Sequence, residues 1–338
     1  MKHYLITGGA GFIGTNLSIY LLNLGHKVTI WDNLSSGFKK NLPIDAKFIL
    51  VDICTITPSD IGSSCIEEIT NRWEKSKKST EIFSLDSELY QYDAIFNLAC
   101  PASPPKYQID PIQTLLTCVL GTKNMLDIAT RCNIPILQAS TSEIYGDPQV
   151  SPQCENYLGY VNCIGIRSCY DEGKRAAETL CFDYNRKYGT KVKVVRIFNT
   201  YGPYMDVDDG RVVSNFINQA LNNKPLTIYG DGLQTRSLCY IDDLIDGLYK
   251  MINTTDDIIG PINLGNDNET TVTCIAEIIS MLTNNDNILE FYELPKDDPK
   301  RRKPDISKAK TILDWYPKIN LEDGLNKTIL YFRSIIEK

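Results

Sequence analysis

Over roughly the first two hundred residues, short apolar runs alternate with longer stretches in which apolar positions recur every three to four residues. The runs at 3–7, 27–31, 47–51, 93–97, 135–140 and 192–198 predict strands. Amphipathic stretches at 12–24, 112–131, 171–188, 212–223, 242–254, 272–283 and 321–337 predict helices. Strands that are apolar nearly throughout must be covered on both faces, and the intervening helices supply that cover. The alternation therefore predicts an α/β fold with a parallel sheet. By periodicity alone Lys193 to Phe198 could also be a buried piece of helix, but its β-branched content favours a strand.

Two stretches depart from this rhythm. Residues 55–92 carry Ser59, Gly62, Ser63, Ser64 and a basic cluster from Lys75 to Lys78, and read as a surface insertion with a helix near 65–76. Beyond about residue 200 the alternation becomes irregular, which implies a second, smaller α/β lobe. The expected organisation is 1–200 and 201–338, with some exchange of chain between the two.

Strand 3–7 runs into Thr7-Gly8-Gly9-Ala10-Gly11-Phe12-Ile13-Gly14 and then a helix. Glycines at 8, 11 and 14 allow a tight turn, close approach of backbone to a pyrophosphate, and close packing of helix on sheet. The helix N-terminus offers free N–H groups to the same anion. Asp32 closes the second strand, where its carboxylate can accept from a ribose 2′-hydroxyl and would repel a 2′-phosphate. No Lys or Arg follows it until Lys39, so NAD is expected over NADP. The fold class becomes a Rossmann-type doubly wound parallel sheet with a smaller C-terminal α/β substrate-binding lobe. Neighbouring positions expected to line the dinucleotide are Phe12, Ile13, Asn33, Ser36, Gly37, Asp52, Ile53, Leu98 and Ala99, with Asp52 set against the adenine.

Tyr170 and Lys174 lie one helical turn apart and face the same side. A free phenol, with a pKa of about 10, is a poor base at neutral pH; a neighbouring ammonium and a cationic nicotinamide favour its phenolate. Strand 135–140 ends in Ser140-Thr141-Ser142-Glu143, and hydroxyls at a strand's carboxyl end stand where open α/β sheets bind ligands. Either Thr141 or Ser142 could orient a reacting hydroxyl, or the cluster could simply cap the strand end.

Composition narrows the field. The chain of 338 residues has a net charge of −7, which disfavours nucleic acid or an anionic membrane as partner. Its two histidines, His3 and His26, lie far from these motifs, excluding Ser-His-Asp and Cys-His hydrolysis. Eleven scattered cysteines without a CxxC pair read as reduced thiols in a cytoplasmic compartment, with no metal site expected. Strand 3–7 leaves no room for a signal peptide, and no apolar run reaches the ~18 residues of a membrane span.

Taken in order and spacing, Thr-Gly-x-x-Gly-x-x-Gly, Ser-Thr-Ser-Glu-x-Tyr-Gly and Tyr-x-x-x-Lys resemble the extended short-chain dehydrogenases that act on sugar nucleotides. The chain is more closely similar to the UDP-glucuronate decarboxylase (UDP-xylose synthase) family. That resemblance rests on Ala99-Cys-Pro-Ala-Ser-Pro-Pro-Lys-Tyr107, Gly165-Ile-Arg-Ser-Cys-Tyr-Asp-Glu-Gly-Lys174 and Arg196-Ile-Phe-Asn-Thr-Tyr-Gly-Pro203. Asp209-Gly-Arg-Val-Val-Ser-Asn-Phe216, Gln234-Thr-Arg236 and the stretch from Asp298 to Asp305 extend it over nearly all the chain apart from 55–92.

The resemblance implies that NAD oxidises C4 of UDP-glucuronic acid, that the 4-keto acid loses carbon dioxide, and that returning hydride gives UDP-xylose. It makes Tyr170 the base, Lys174 its electrostatic partner and Thr141 the orienting hydroxyl, with Ser142 beside it. Glu143 and Arg236 would assist decarboxylation and protonation; alternatively Glu143 is a loop carboxylate paired with Arg236. Ala102, Tyr107, Asn199, Val213, Ser214, Tyr229, Gln234 and Arg302 match sugar, uridine or diphosphate positions, although Lys300 to Lys303 could be a solvated basic run. Thr117, Thr200 and Arg211 match cofactor-side positions. A homodimer through the helices at 112–131 and 171–188 is implied as well.

Three positions depart from the family pattern: Leu116 for a usual lysine, Cys118 for asparagine and Tyr204 for arginine. Rival readings are release of a UDP-4-keto-pentose, a nucleotide-sugar 4,6-dehydratase or 4-epimerase, and an inactive NAD-binding scaffold. A dehydratase usually carries Asp-Glu where this chain has Ser142-Glu143. A scaffold would be expected to lack Tyr170, Lys174 or Thr141, all present here.

Overall fold

A computed structural model describes residues 1–56, 91–285, 288–293 and 302–336. The expected insertion at 55–92 and its helix lie almost wholly outside the described residues. The strands predicted from the apolar runs form as β1 (His3–Thr7), β2 (Lys27–Asp32), β3 (Lys47–Leu50), β4 (Ala94–Asn97), β5 (Ile136–Thr141) and β6 (Val192–Ile197). With the strand Ile262–Leu264 they make one seven-stranded sheet. Its order is Ile262–Leu264, β6, β5, β4, β1, β2, β3, and every pairing is parallel.

The side-chain alternation of each strand divides the core between the two faces. On one face Tyr4, Ile6, Val28, Ile30, Phe96 and Val195 pack with the helices Phe12–Asn23 and Ile241–Ile252. On the other, Leu5, Trp31, Ile95, Val192 and Val194 pack with Met125, Leu126 and Cys181. Burial on both sides explains why these strands read as nearly continuous apolar runs.

The chain lays down β1, β2 and β3 in one direction and then returns to place β4 on the other side of β1. Loops leaving β1 and β4 therefore diverge, opening a crevice beyond their carboxyl ends. A polar ladder holds the three central strands together there: Thr7 Oγ1 donates to Asn97 Oδ1 at 2.7 Å, and Asn97 Nδ2 to Gln138 Oε1 at 2.7 Å.

Two helices differ from expectation. The single helix expected at 112–131 is built as Pro111–Leu116, a π-helical turn Thr117–Gly121, and Thr122–Cys132. The Cβ-free Gly121 lets this helix approach Ile53, since an added Cβ would stand 2.6 Å from Ile53 Cδ1. The helix expected from 171 begins at Ser168, because the Arg167 carbonyl already accepts from Tyr170 and Asp171 N–H at 3.0 and 3.1 Å. Beyond residue 200, Leu226–Tyr229 pairs in parallel with Leu289–Tyr292, and Thr235–Arg236 pairs antiparallel with Thr270–Thr271. Thr227, Tyr229, Gln234 and Arg236 from this part of the chain line the crevice.

Candidate active site

The crevice is a cleft of about 1180 Å³ running from the glycine turn to Arg302. At one end, Gly8 turns with φ of +71°, and an added Cβ there would meet Ala99 Cα at 2.8 Å. At Gly14 a Cβ would lie 2.3 Å from the Gly8 carbonyl. Close chain approach demands glycine at both places. Gly11 caps the Phe12–Asn23 helix without a side-chain hydrogen bond, so first-turn N–H groups remain available to an anion.

Asp32 at the end of β2 is nearly buried and accepts from Ala10 N at 3.0 Å and Leu34 N at 2.7 Å. Burial raises its carboxyl pKa, opposed by those two backbone donors. Asp52 beyond β3 accepts from Asn33 Nδ2 at 3.2 Å and Cys54 N at 2.9 Å. Phe12, Ile13, Ser36, Gly37, Ile53, Leu98, Ala99, Thr117, Thr200 and Arg211 also line the cleft. Arg211 is paired with Asp209, Nη2 to Oδ1 at 3.1 Å. A Cβ-free cradle, an anion-facing helix end and a buried carboxylate at the ribose position fit NAD.

At the centre, the helix Ser168–Tyr188 packs along β5 and aims Tyr170 and Lys174 into the cleft. Lys174 is buried and donates from Nζ to the Ala139 carbonyl at 2.8 Å, which holds its ammonium 5.8 Å from the Tyr170 ring centre. Thr141 lines the cleft beside the Tyr170 phenol, and its hydroxyl accepts from Glu143 N at 3.2 Å. Burial pushes the Tyr170 phenol well above its ordinary pKa, and Thr141 works against it. The phenol is therefore neutral with these protein groups alone. Tyr107 stacks on the Tyr170 ring at 5.1 Å and 6°, and its own hydroxyl is buried with no partner among the described residues.

Beyond Tyr170 lies a cluster of guanidinium groups. Glu143 accepts from Arg302 Nη2 at 3.0 Å and from Arg167 Nη2. Burial alone would raise the Glu143 carboxyl pKa, but Arg302, Arg167 and Arg236 together hold it below the usual value. The alternative of a simple Glu143–Arg236 pair is corrected: Arg167 and Arg302 are the hydrogen-bonded partners, and Arg236 donates to the Thr235 carbonyl at 2.9 Å. Arg302 is not part of a solvated run; it is buried and also donates to the Gly146 carbonyl at 2.7 Å.

Ala102, Asn199, Val213, Tyr229, Gln234 and Ser142 line the cleft with these groups. Ser214 does not. It is fully buried and spends its hydroxyl on the Arg211 carbonyl at 2.9 Å, while Asn215 on the same helix faces the cavity. Arg167 and Asp171 were given no role in the sequence reading, although both lie inside the Gly165–Lys174 motif. Nothing local marks them, because Glu143, from the turn after β5, and Arg302 come to them from segments remote in sequence.

Sheets wound in this way hold a dinucleotide outside the carboxyl ends of their strands, so the molecule is of the nicotinamide-dinucleotide class. Residues 4–265 match the profile described as "NAD dependent epimerase/dehydratase family", and the chain belongs to that family. It is 46% identical over 337 residues to UDP-glucuronic acid decarboxylase 1 of Xenopus tropicalis, covering 99% of this chain and 73% of the relative. Among solved structures it resembles the UDP-glucose 4-epimerase of Thermotoga maritima with UDP-glucose, with a TM-score of 0.83, 28% identity and 99% of each chain covered. It also resembles the UDP-glucuronic acid 4-epimerase of Bacillus cereus in complex with UDP-glucuronic acid and NAD, with a TM-score of 0.79 and 26% identity over 98% of this chain and 99% of that one.

Proposed function

We propose that the protein decarboxylates UDP-glucuronic acid to UDP-xylose as a carboxy-lyase that uses and regenerates NAD. The observation that carries this is 46% identity, over 99% of this chain, to enzymes named UDP-glucuronic acid decarboxylase. When bound, NAD supplies the hydride acceptor and donor for C4 of the sugar.

The chain's own residues then have distinct tasks. Tyr170 takes the proton of the 4-hydroxyl, Thr141 orients that hydroxyl, and Lys174 opposes the rise that burial imposes on the phenol. Once C4 is a ketone, the C6 carboxylate lies β to it. The C5–C6 bond can break with its electrons passing to the ketone oxygen. Arg167, Arg236 and Arg302 around Glu143 leave a net positive pocket suited to an anionic sugar. Glu143 beside the substrate carboxylate adds a repulsion that departure of neutral carbon dioxide relieves. Tyr229 and Gln234 also line the cleft, where they would serve the uridine of a nucleotide sugar.

We further propose that residues 201–338 form most of the lobe that holds the nucleotide sugar, that the protein works in the cytoplasm, and that it is a homodimer. Free thiols at the described cysteines support the second point. No helix among the described residues is long and apolar enough to cross a membrane.

The test is incubation with UDP-glucuronic acid and catalytic NAD, following carbon dioxide release and the product by NMR. UDP-xylose with carbon dioxide is expected. A UDP-4-keto-pentose as end product would remove the final reduction from the proposal. UDP-galacturonic acid without carbon dioxide would replace it with 4-epimerisation. Tyr170→Phe should lower turnover by about 100-fold or more while still binding NAD; unchanged turnover would remove Tyr170 from its role.

A further inference from the structure

Two thiols meet behind the candidate base. Cys100, in the loop after β4, lines the cleft, and its Sγ lies 3.4 Å from Sγ of Cys118 in the π-helical turn Thr117–Gly121. Cys118 is buried against the helix that carries Tyr170 and Lys174. A Cβ built on Gly173 would stand 3.0 Å from Cys118 Cβ and 3.1 Å from its Sγ. The loop bearing Cys100 is equally confined, since Ala99 packs on the Gly8 turn and its N–H donates to Thr7 Oγ1 at 3.3 Å. Neither thiol has a task in the reaction described above.

We propose that Cys100 and Cys118 form a reversible disulfide under a peroxide oxidant, and that the bond switches off the adjacent site. The second half rests on the reading of Tyr170 and Lys174 as catalytic groups. The chemistry balances. One thiol takes an oxygen from hydrogen peroxide to become a sulfenic acid and releases water. The other thiol displaces a second water as the sulfur–sulfur bond forms. Two thiols lose two electrons and two protons, and one peroxide becomes two waters. The same sum holds whichever sulfur is oxidised first.

The surroundings favour the reaction. The hydrogen bond from Cys100 lowers the Cys118 thiol pKa against the effect of burial, and the Lys174 ammonium acts in the same direction. Thiolate character at one sulfur beside a thiol in contact is the condition for efficient closure. Exposed Cys163 lies elsewhere and offers an internal comparison.

Closure has a geometric consequence. A disulfide bond is about 2.05 Å long, so two sulfurs now 3.4 Å apart must approach by more than an ångström. Cys118 is backed by Gly173, and Ala99 next to Cys100 by the glycine turn, so the movement passes into the catalytic helix or into the loop with Ala99 and Ala102. Displacing positioned groups by about 1 Å can cost about 100-fold in rate. The reduced enzyme is the active form.

The test treats reduced full-length protein with hydrogen peroxide, alkylates the remaining thiols, and maps disulfides by mass spectrometry. Turnover of UDP-glucuronic acid is measured before oxidation, after it, and after dithiothreitol. The expected result is a Cys100–Cys118 cross-linked peptide, a 10- to 100-fold loss of turnover, and recovery on reduction. Cys100→Ser and Cys118→Ala should each lose the peroxide-dependent drop, judged against the same variant's own reduced activity. Both cysteines alkylated after peroxide while Cys163 is oxidised would overturn the disulfide. A mapped disulfide with unchanged turnover would overturn the switch. If the reduced protein never turns over this substrate, the catalytic reading fails, whereas the peptide map still decides whether the disulfide forms.

Discussion

Asp171 follows the candidate base directly in sequence, yet its carboxylate faces the guanidinium cluster. Oδ2 lies 3.9 Å from Arg167 Nε, while Oδ1 is buried with no partner among the described residues. Burial first, and then the charge of Glu143, push this carboxyl up to about 7, with Arg167 and Arg302 pulling the other way. An unfolded aspartate titrates near 3.9, so between roughly pH 4 and 7 the folded protein holds a proton that the unfolded chain has lost. The resulting stabilisation is complete below about pH 4 and is lost as pH rises through about 7. Asp171→Asn, which cannot ionise, should therefore gain in melting temperature relative to wild type as pH rises from about 5 to about 8. Equal differences at the two pH values would mean that Asp171 ionises as an ordinary carboxyl. Asp171 and Arg167 also mark how far single residues could be read. Gly8, Asp32, Tyr170 and Lys174 are legible because a turn, a strand end or one helical repeat sets their geometry within a few positions. Glu143's partners, and the meeting of Cys100 with Cys118, depend on segments remote in sequence that only tertiary packing brings together.

The same distinction holds for elements. Five strands of the main sheet, β1, β2, β4, β5 and β6, are legible because burial on both faces leaves a mostly apolar run, and the edge strand β3, exposed at Lys47 and Leu50, is legible from its apolar centre. The strand Ile262–Leu264 is not, since three residues make too short a run to register, although they extend the sheet beyond β6. The helix Ser168–Tyr188 is legible by period, but its anchorage is not. Glu178 on its inner face forms two hydrogen bonds with Arg196 of β6, at 3.0 and 2.8 Å, and accepts from Ser140 of β5. Arg196 in turn donates to Tyr145 at 3.0 Å and to the Glu155 carbonyl at 2.9 Å. This buried pair fixes the rotation of the helix and, with it, the aim of Tyr170 and Lys174. Removing one partner strands a buried charge, so Glu178→Ala should cost about 3–5 kcal/mol in chemical denaturation. Glu178→Gln, which keeps an acceptor for Ser140, should lose less. A loss under about 1 kcal/mol for the alanine variant would show that the pair does not anchor the helix.

At the scale of the whole molecule, an apolar stripe lies exposed among the described residues. Ile109, Ile112, Leu116 and Leu120 recur at helical spacing on the segment after the Pro104–Tyr107 turn, with exposures of 82%, 73%, 38% and 42%. Positions three and four apart share one helix face, and here that face is turned to solvent. The other faces are buried, with Cys118 against Gly173 of the helix Ser168–Tyr188 and Gly121 against Ile53. An exposed apolar stripe of this kind marks an interaction surface. A twofold axis beside it would set the stripe against its own copy in an isologous contact, the commonest form of homodimer. The site would gain from that arrangement, because Tyr107, Thr117 and Tyr170 stand on the segments the contact would stiffen. Sedimentation at micromolar concentration should therefore give twice the 38.1 kDa chain mass. Ile112→Asp with Leu120→Asp should shift the protein to monomer, since an aspartate facing its own copy adds repulsion to the lost burial. Neither side chain reaches the cleft, so the double variant should still bind NAD. A wild-type monomer, or a variant that remains dimeric, would show that this stripe is not the dimer contact.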